Sequence, residues 1–176
     1  MVASLLLLHL DLPRSTAAAL LAAGAALVVV ADVFRLRYPP ANELFFRAFR
    51  LLASPREASG LASSTWYAVA VAAAVALFPL HHAVSGILVL ALADPAGSYV
   101  GQRWGRRPFL GGTVAGSATF GLVAGVILIM RHPPTVAALA VVAATLAERR
   151  SWPLDDNLAV PLVTGAVTTL GTSLLL

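Results

Sequence analysis

The sequence contains no cysteine and no lysine, and only 11% of its 176 residues are charged. Without cysteine there is no disulfide framework and no thiolate metal site. Without lysine, all twelve basic side chains are guanidinium groups, planar forks and not compact ammonium ions. So little charge, set against 59% hydrophobic residues and a mean hydropathy of +0.86, excludes an ordinary soluble domain. The apolar surface exceeds what a soluble fold of this size buries, so the chain reads as an integral membrane protein. Its net charge of +4 then bears on topology and not on nucleic-acid binding.

Six segments approach the roughly 20-residue length that spans a bilayer. They lie at about 15–31, 64–80, 83–100, 112–130, 134–148 and 158–176. The expected fold is all-α: a single membrane-embedded domain over 1–176 with about six transmembrane helices, some discontinuous, plus short amphipathic interfacial helices. The opening VASLLLLHL is apolar but too short to span, and suits a half-inserted helix. It lacks the basic leader and small-residue cleavage site of a signal peptide.

Charge gives the expected orientation. With the amino end outside, residues 32–63, 101–111 and 149–157 are cytoplasmic and hold Arg35, Arg37, Arg47, Arg50, Arg56, Arg103, Arg106, Arg107, Arg149 and Arg150. Only Arg14 and Arg131 fall outside, as the positive-inside rule requires. Asp32, Glu43, Glu57, Asp94, Glu148, Asp155 and Asp156 follow the same partition, and Asp11 alone does not. The polar chemistry is gathered on one face, which places the site at the cytoplasmic side of the cell membrane.

The first cytoplasmic segment contains NELFFRAFRLL, with Phe45, Phe49 and Leu52 at helical spacing opposite Glu43, Arg47 and Arg50. That pattern predicts a short helix lying in the interface, either a headgroup anchor or an entry ramp for a lipid. Glu57 follows at the mouth of the second span. A carboxylate there is either functional or a helix-start charge favoured by the macrodipole.

The third span runs into ADPAGSYVGQRWGRRPFLGGTVAGS, residues 93–117, which holds an aspartate, three arginines and six glycines. Asp94 before Pro95 predicts a helix break, since one can cap a helix and the other suits a first turn. A broken helix exposes backbone groups that a polar ligand can satisfy. Asp94 is then either a Mg²⁺ ligand or a cap. Arg103, Arg106 and Arg107 suit a polyphosphate, anionic headgroups or topology alike. LGGTVAGS offers unhindered amides ahead of a helix, which suits phosphate, while Gly112 and Gly116 also make a small-xxx-small packing motif.

The third cluster is AERRSWPLDDNLAVPL, residues 147–162. Glu148 ends the fifth span, and Asp155, Asp156 and Asn157 open the sixth. They cap that helix or join Asp94 in one metal and phosphate site. His81 and His82 read as residues of the outer turn between spans two and three. Trp66, Trp104 and Trp152 read as interfacial belt residues.

The order Asp-x-x-Ala-x-x-x-Gly-x-x-x-Gly, then a Gly-rich segment ending in Gly-Ser, then Glu and Asp-Asn-x-x-x-Pro, resembles the CTP-dependent lipid-alcohol kinase family. That family includes dolichol kinase, phytol kinase and yeast-type diacylglycerol kinase, and is distantly related to phosphatidate cytidylyltransferases. The similarity runs from ADVFRLR to the carboxyl terminus and is densest over Asp94 to Gly105 and Glu148 to Pro161. The resemblance implies that Asp94 lies near nucleotide phosphates, with Gly101 and Gly105 beside it. It likens Gly111, Thr113, Gly116 and Ser117 to a segment the family writes Gly-Lys-Ser-x-Glu-Gly-Ser. Glu148, Asp156 and Asn157 resemble its acidic carboxyl-terminal cluster. Gly112 stands where the family has Lys, and Ala115 where it has Glu, which removes one phosphate-neutralising charge and one candidate metal ligand or base.

The activity so implied is transfer of the terminal phosphate of CTP to the hydroxyl of a membrane lipid, a polyprenol, phytol-like alcohol or diacylglycerol. Asp94, Glu148 and Asp156 would hold Mg²⁺ or another divalent cation. Arg103, Arg106 and Arg107 would neutralise charge, with Arg106 or Arg107 replacing the missing Lys. Gly111, Thr113, Gly116, Ser117 and Asn157 would bind phosphate, and Glu57 or Asp156 would orient or deprotonate the lipid hydroxyl. The alternatives are a cytidylyltransferase-like enzyme making a CDP-lipid and a noncatalytic relative that binds lipid or nucleotide. The expected partners are the lipid alcohol and the nucleotide, with no nucleic acid and with room for a homo-oligomer. A transporter fits poorly, because the charges crowd one face and mark no path through the midplane.

Overall fold

The computed structural model describes residues 13–50, 54–149 and 155–175. The VASLLLLHL segment, Leu52 and Trp152 lie outside them. Helix α1 covers Arg14–Arg37 and stops at Tyr38, ahead of Pro39 and Pro40. A residue before proline is driven out of the helical region, and Tyr38 is extended. Pro39 then opens α2, Pro39–Ala48, because its missing N–H costs nothing at a first helical position. This helix holds the first part of the expected amphipathic segment, starting three residues before Asn42 and ending ahead of Phe49. Its Glu43–Arg47 pair is exposed at 3.4 Å, while Phe45 lies beneath the Arg35 guanidinium, 4.4 Å from ring centre to carbon.

A 3₁₀ turn at Pro55–Ala58 leads to α3, Ser63–Leu77. A long helix, Leu80–Trp104, follows and is continuous. It comprises α4, Leu80–Leu88, a π turn over Val89–Ala93, and α5, Asp94–Trp104. The expected break at Asp94 is therefore absent, and Asp94 does not cap a helix; both it and Ala93 are helical. Pro95 has no N–H and its ring presses on the carbonyl four residues back, and the widened turn sits at that place. His81 and His82 belong to the first turn of α4 and not to a connecting loop.

A two-residue hairpin joins β1, Pro108–Phe109, to β2, Gly112–Thr113, with Phe109 opposite Gly112. Its turn residues Leu110 and Gly111 both have positive φ, 43° and 82°, the requirement of a type I′ turn. Helix α6, Val114–Ile129, starts at Thr113, whose hydroxyl accepts from Gly116 N at 3.1 Å. Helix α7 covers Pro134–Arg149 and α8 covers Asp156–Leu175, with Asp155 accepting from Asn157 N at 3.0 Å as its cap.

Packing runs from α1 to α3 to α8, then through α7 and α6 to α5, with α8 also against α4. Two cores result. One joins Val89, Leu90 and Ala93 to Phe120, Ala124, Leu128, Ala140 and Val160; the other joins Leu21 and Ala25 to Val71, Val75, Ala83 and Ile87. Both are rich in alanine, and glycine closes the tightest crossing: a Cβ on Gly86 would lie 2.5 Å from the Pro161 carbonyl oxygen. Small residues permit such backbone approach where lipid supplies no hydrophobic force. The buried hydroxyls of Thr164 and Thr168 return to carbonyls one turn back, Val160 and Thr164, at 2.7 and 2.8 Å.

The described chain is all-helical apart from the hairpin. Three helices are long and apolar enough to cross a membrane: Arg14–Arg37, Leu80–Trp104 and Asp156–Leu175. The other three expected spans, α3, α6 and α7, have 15, 16 and 16 residues. At 1.5 Å per residue they reach about 22–24 Å, short of the ~30 Å hydrocarbon core.

Candidate functional site

The carboxylates gathered at one end of the bundle fall into two separate groups. The first is structural. Asp32 is buried within α1 and accepts from Arg35 Nε (2.6 Å), from Ala62 N (2.6 Å) and from the Thr65 hydroxyl (2.9 Å). Glu57 accepts from Ser63 N and its hydroxyl at 3.1 and 2.9 Å. Helix α3 begins at Ala62, which has no capping side chain, so these two carboxylates satisfy its first amides from a distance. Arg35 completes the group, donating to Asn42 Oδ1 (2.6 Å) and to the carbonyls of Glu57 (2.8 Å) and Gly60 (3.0 Å). Glu57 is thus engaged at a helix start, as its macrodipole reading expects, and the structure does not bring it to Asp94.

The second group, Asp94, Glu148, Asp155 and Asp156, includes one carboxylate, Glu148, that lines a polar pocket of about 230 Å³; the other three do not line it. One face of α5 supplies Gly97, Ser98, Gly101 and Gln102, the hairpin supplies Gly112 and Thr113, and the end of α7 supplies Glu148 and Arg149. The walls are this close because α5 lies on α6. A Cβ on Gly97 would sit 3.0 Å from the Gly116 oxygen, and one on Gly101 3.0 Å from the Thr113 hydroxyl. Gly105 has no room for a Cβ against Thr113. Most of the glycines therefore serve the helix crossing. Gly116 and Ser117 are buried in it, and the Gly116 amide is taken by Thr113.

Arg149 was prominent in the sequence only as a topological charge. Its guanidinium lies over Gly112, in the space a side chain at 112 would need. Its Nε forms an ion pair with Glu148 Oε2 at 2.5 Å, and both side chains are largely buried. Ser117 Oγ is buried without a hydrogen-bond partner and does not line the pocket.

Asp94, Glu148, Asp155 and Asp156 act electrostatically on one another, and Arg149 acts on Asp94 and Glu148. Four carboxylates are thus near one another, and two of them, Asp94 and Glu148, also feel the Arg149 guanidinium. Asn157 donates through its side chain to Asp155 (2.8 Å) and Asp156 (3.2 Å), which orients both at the start of α8. Among the described residues, no group of three or more His, Asp or Glu side chains is disposed to hold a metal ion by itself. Arg103, Arg106 and Arg107 are exposed and line no part of the pocket, and Gly111 is exposed at the hairpin tip. The arginine that lies beside Gly112 is Arg149, and neither Arg106 nor Arg107. Nothing in the sequence links residues 112 and 149, which meet only through the packing of α7 on α6. No protein family matches the chain, and neither a curated protein nor a solved structure is similar to it at a level that shows kinship.

Proposed function

We propose that the pocket between α5, the hairpin and the end of α7 binds the phosphates of a nucleotide, and that the protein transfers the terminal phosphate, from CTP, to the hydroxyl of a membrane lipid. The observation that carries this reading is the Arg149 guanidinium held over Gly112 and paired with Glu148, amid further carboxylates at the end of an apolar helical bundle. A volume of about 230 Å³ suits phosphate groups, while pockets for whole cofactors run from about 300 Å³ upward, so base and ribose would extend outward. The site lies at the cytoplasmic face, where nucleotide and lipid meet, with six spans and an outer amino end as the accompanying topology.

Four neighbouring carboxylates, only two of them beside a guanidinium, favour a bound cation. A hard ion such as Mg²⁺ takes one or two carboxylates and completes its shell with phosphate and water, which fits this donor set better than an all-protein cage. Asp94 and Asp156 are the residues that would hold it, with Glu148 tethered by Arg149. Such an ion supplies charge neutralisation on the phosphates. The chain's own work is positioning: Arg149 presents a planar fork to phosphate oxygens, a role where charge-assisted pairs are strong. Thr113 fixes the hairpin, and Arg103, Arg106 and Arg107 attract the anion at the rim. Asp156, held by Asn157, orients the lipid hydroxyl.

The test supplies purified protein in lipid micelles with Mg²⁺, with CTP or ATP labelled on the terminal phosphate, and with polyprenols, phytol, geranylgeraniol and diacylglycerol. Label enters a lipid with the unsubstituted protein and not with Asp94→Asn. A CDP-lipid formed from a lipid phosphate would instead assign cytidylyl transfer. Nucleotide binding with no transfer to any acceptor would leave a binding protein.

A further inference from the structure

The opposite end of the bundle holds a second polar cluster, unconnected with the pocket. His81 lies thirteen residues before Asp94 on one long helix, about 20 Å away at 1.5 Å per residue. His81 and His82 occupy the first turn of α4, and His132 lies in the short link between α6 and α7. Their ring centroids are 4.9 Å (His81 to His132), 5.2 Å (His82 to His132, stacked) and 5.6 Å (His81 to His82) apart. Polar contacts tie the link to α4. His81 Nε2 lies 2.8 Å from the Arg131 carbonyl and Ser85 Oγ 2.8 Å from His132 Nε2. Arg131 Nε donates to Ser85 Oγ at 2.8 Å, and its terminal nitrogen donates to the His81 carbonyl at 3.2 Å.

We propose that this cluster is a pH-responsive latch, closed while its three imidazoles are neutral and released when His132 gains a proton. The charge already present is Arg131, and among the described residues every titratable group facing His132 is another base: His81 and His82 from α4 and Arg131 from its own link. The other elements ending here add no counter-ion among the described residues. Residues 74–78 of α3 and 168–175 of α8 contain no titratable side chain, and Arg14 gives its guanidinium to the carbonyls of Val75 and Ala76. His132 is itself buried, 6% exposed, so a proton there is a charge in a dry site beside a fixed cation. Burial first, then the neighbouring bases, push its pKa down to about 4. Nor do the three imidazoles form a ready metal site. Release would loosen the start of α7, where Val136 and Ala137 are buried against α6 and α8.

The absence of native cysteine makes a clean assay. A thiol is introduced by Val136→Cys, at a fully buried position, and by Met130→Cys, at an 81% exposed one, each in the full chain. The rate of alkylation at 136 is divided by that at 130 at every pH, which cancels the pH dependence of the thiol. A His that titrates near its ordinary 6.5 when released and near 4 when latched raises the open population roughly 25-fold between pH 7.5 and 5. The ratio is expected to rise by that order, and to stay flat with His132→Gln, which keeps a hydrogen-bonding partner for Ser85 but does not titrate. A flat ratio with His132 present, or an equal rise with His132→Gln, overturns the latch. If Val136→Cys does not fold, hydrogen exchange of amides 130–137 in the cysteine-free protein, corrected for intrinsic rates, makes the same decision.

Discussion

Asp32→Ala removes the carboxylate on which α1, the 54–62 connection and the start of α3 converge. Its loss leaves Ala62 N and the Thr65 hydroxyl without their acceptor and deprives Arg35, only 4% exposed, of its one ionic partner. Breaking a buried pair by deleting one member costs about 3–5 kcal/mol, and losing a helix-start acceptor about 1 kcal/mol. Arg35 retains three other oxygen acceptors and the Phe45 ring, which holds the expected total to about 3 kcal/mol. Chemical unfolding in detergent micelles, followed through Trp66 in the first turn of α3, reads this directly. Asp32→Asn, which keeps an acceptor, is expected to cost less than half as much. Asp32→Leu with Arg35→Met is expected to be milder than the sum of the single changes, since it leaves no orphaned charge. A loss below about 1 kcal/mol for Asp32→Ala, or strict additivity of the pair, would refute the view that this cluster organises the fold.

Gly112→Ala forces the Arg149 guanidinium from its place. If that group binds phosphate through a charged hydrogen bond of about 1.5–3 kcal/mol, nucleotide affinity falls about 10- to 150-fold, measurable by equilibrium binding, while the fold persists. Leu110 holds φ +43° in an exposed turn, so Leu110→Asn should raise stability by up to about 1 kcal/mol in the same unfolding assay. Gly86→Val should weaken the α4 to α8 crossing, because its side chain meets Pro161 backbone, which cannot swing aside; thermal stability reports it. For His132, a folded pKa near 4 against an ordinary 6.5 means the unfolded chain binds the extra proton. Stability is therefore full above about pH 6.5 and falls by up to about 3 kcal/mol as pH drops toward 4. His132→Gln should flatten that part of the pH profile.

Local pattern carried the helices well. The six apolar segments became α1, α3, the Leu80–Trp104 helix, α6, α7 and α8, each near its expected bounds. Proline and hydroxyl residues at their ends acted as their chemistry requires. Asp94 was misjudged for a local reason: Asp-Pro is a break signal in isolation, yet a π turn absorbs the proline and keeps the helix whole. Glu57 had two readings of equal standing, and its bonds to Ser63 place it at the start of α3, where one of them expects it.

What the sequence by itself determined is the helical, membrane-suited character and the positions of the helices along the chain. Those depend on composition and on residues within a few turns of one another. Tertiary structure alone decided which carboxylates share a site, that Arg149 faces Gly112, and that three histidines from two separated segments meet. Each joins residues tens of positions apart, and the contact exists only because alanine and glycine let whole helices approach closely enough for their ends to touch.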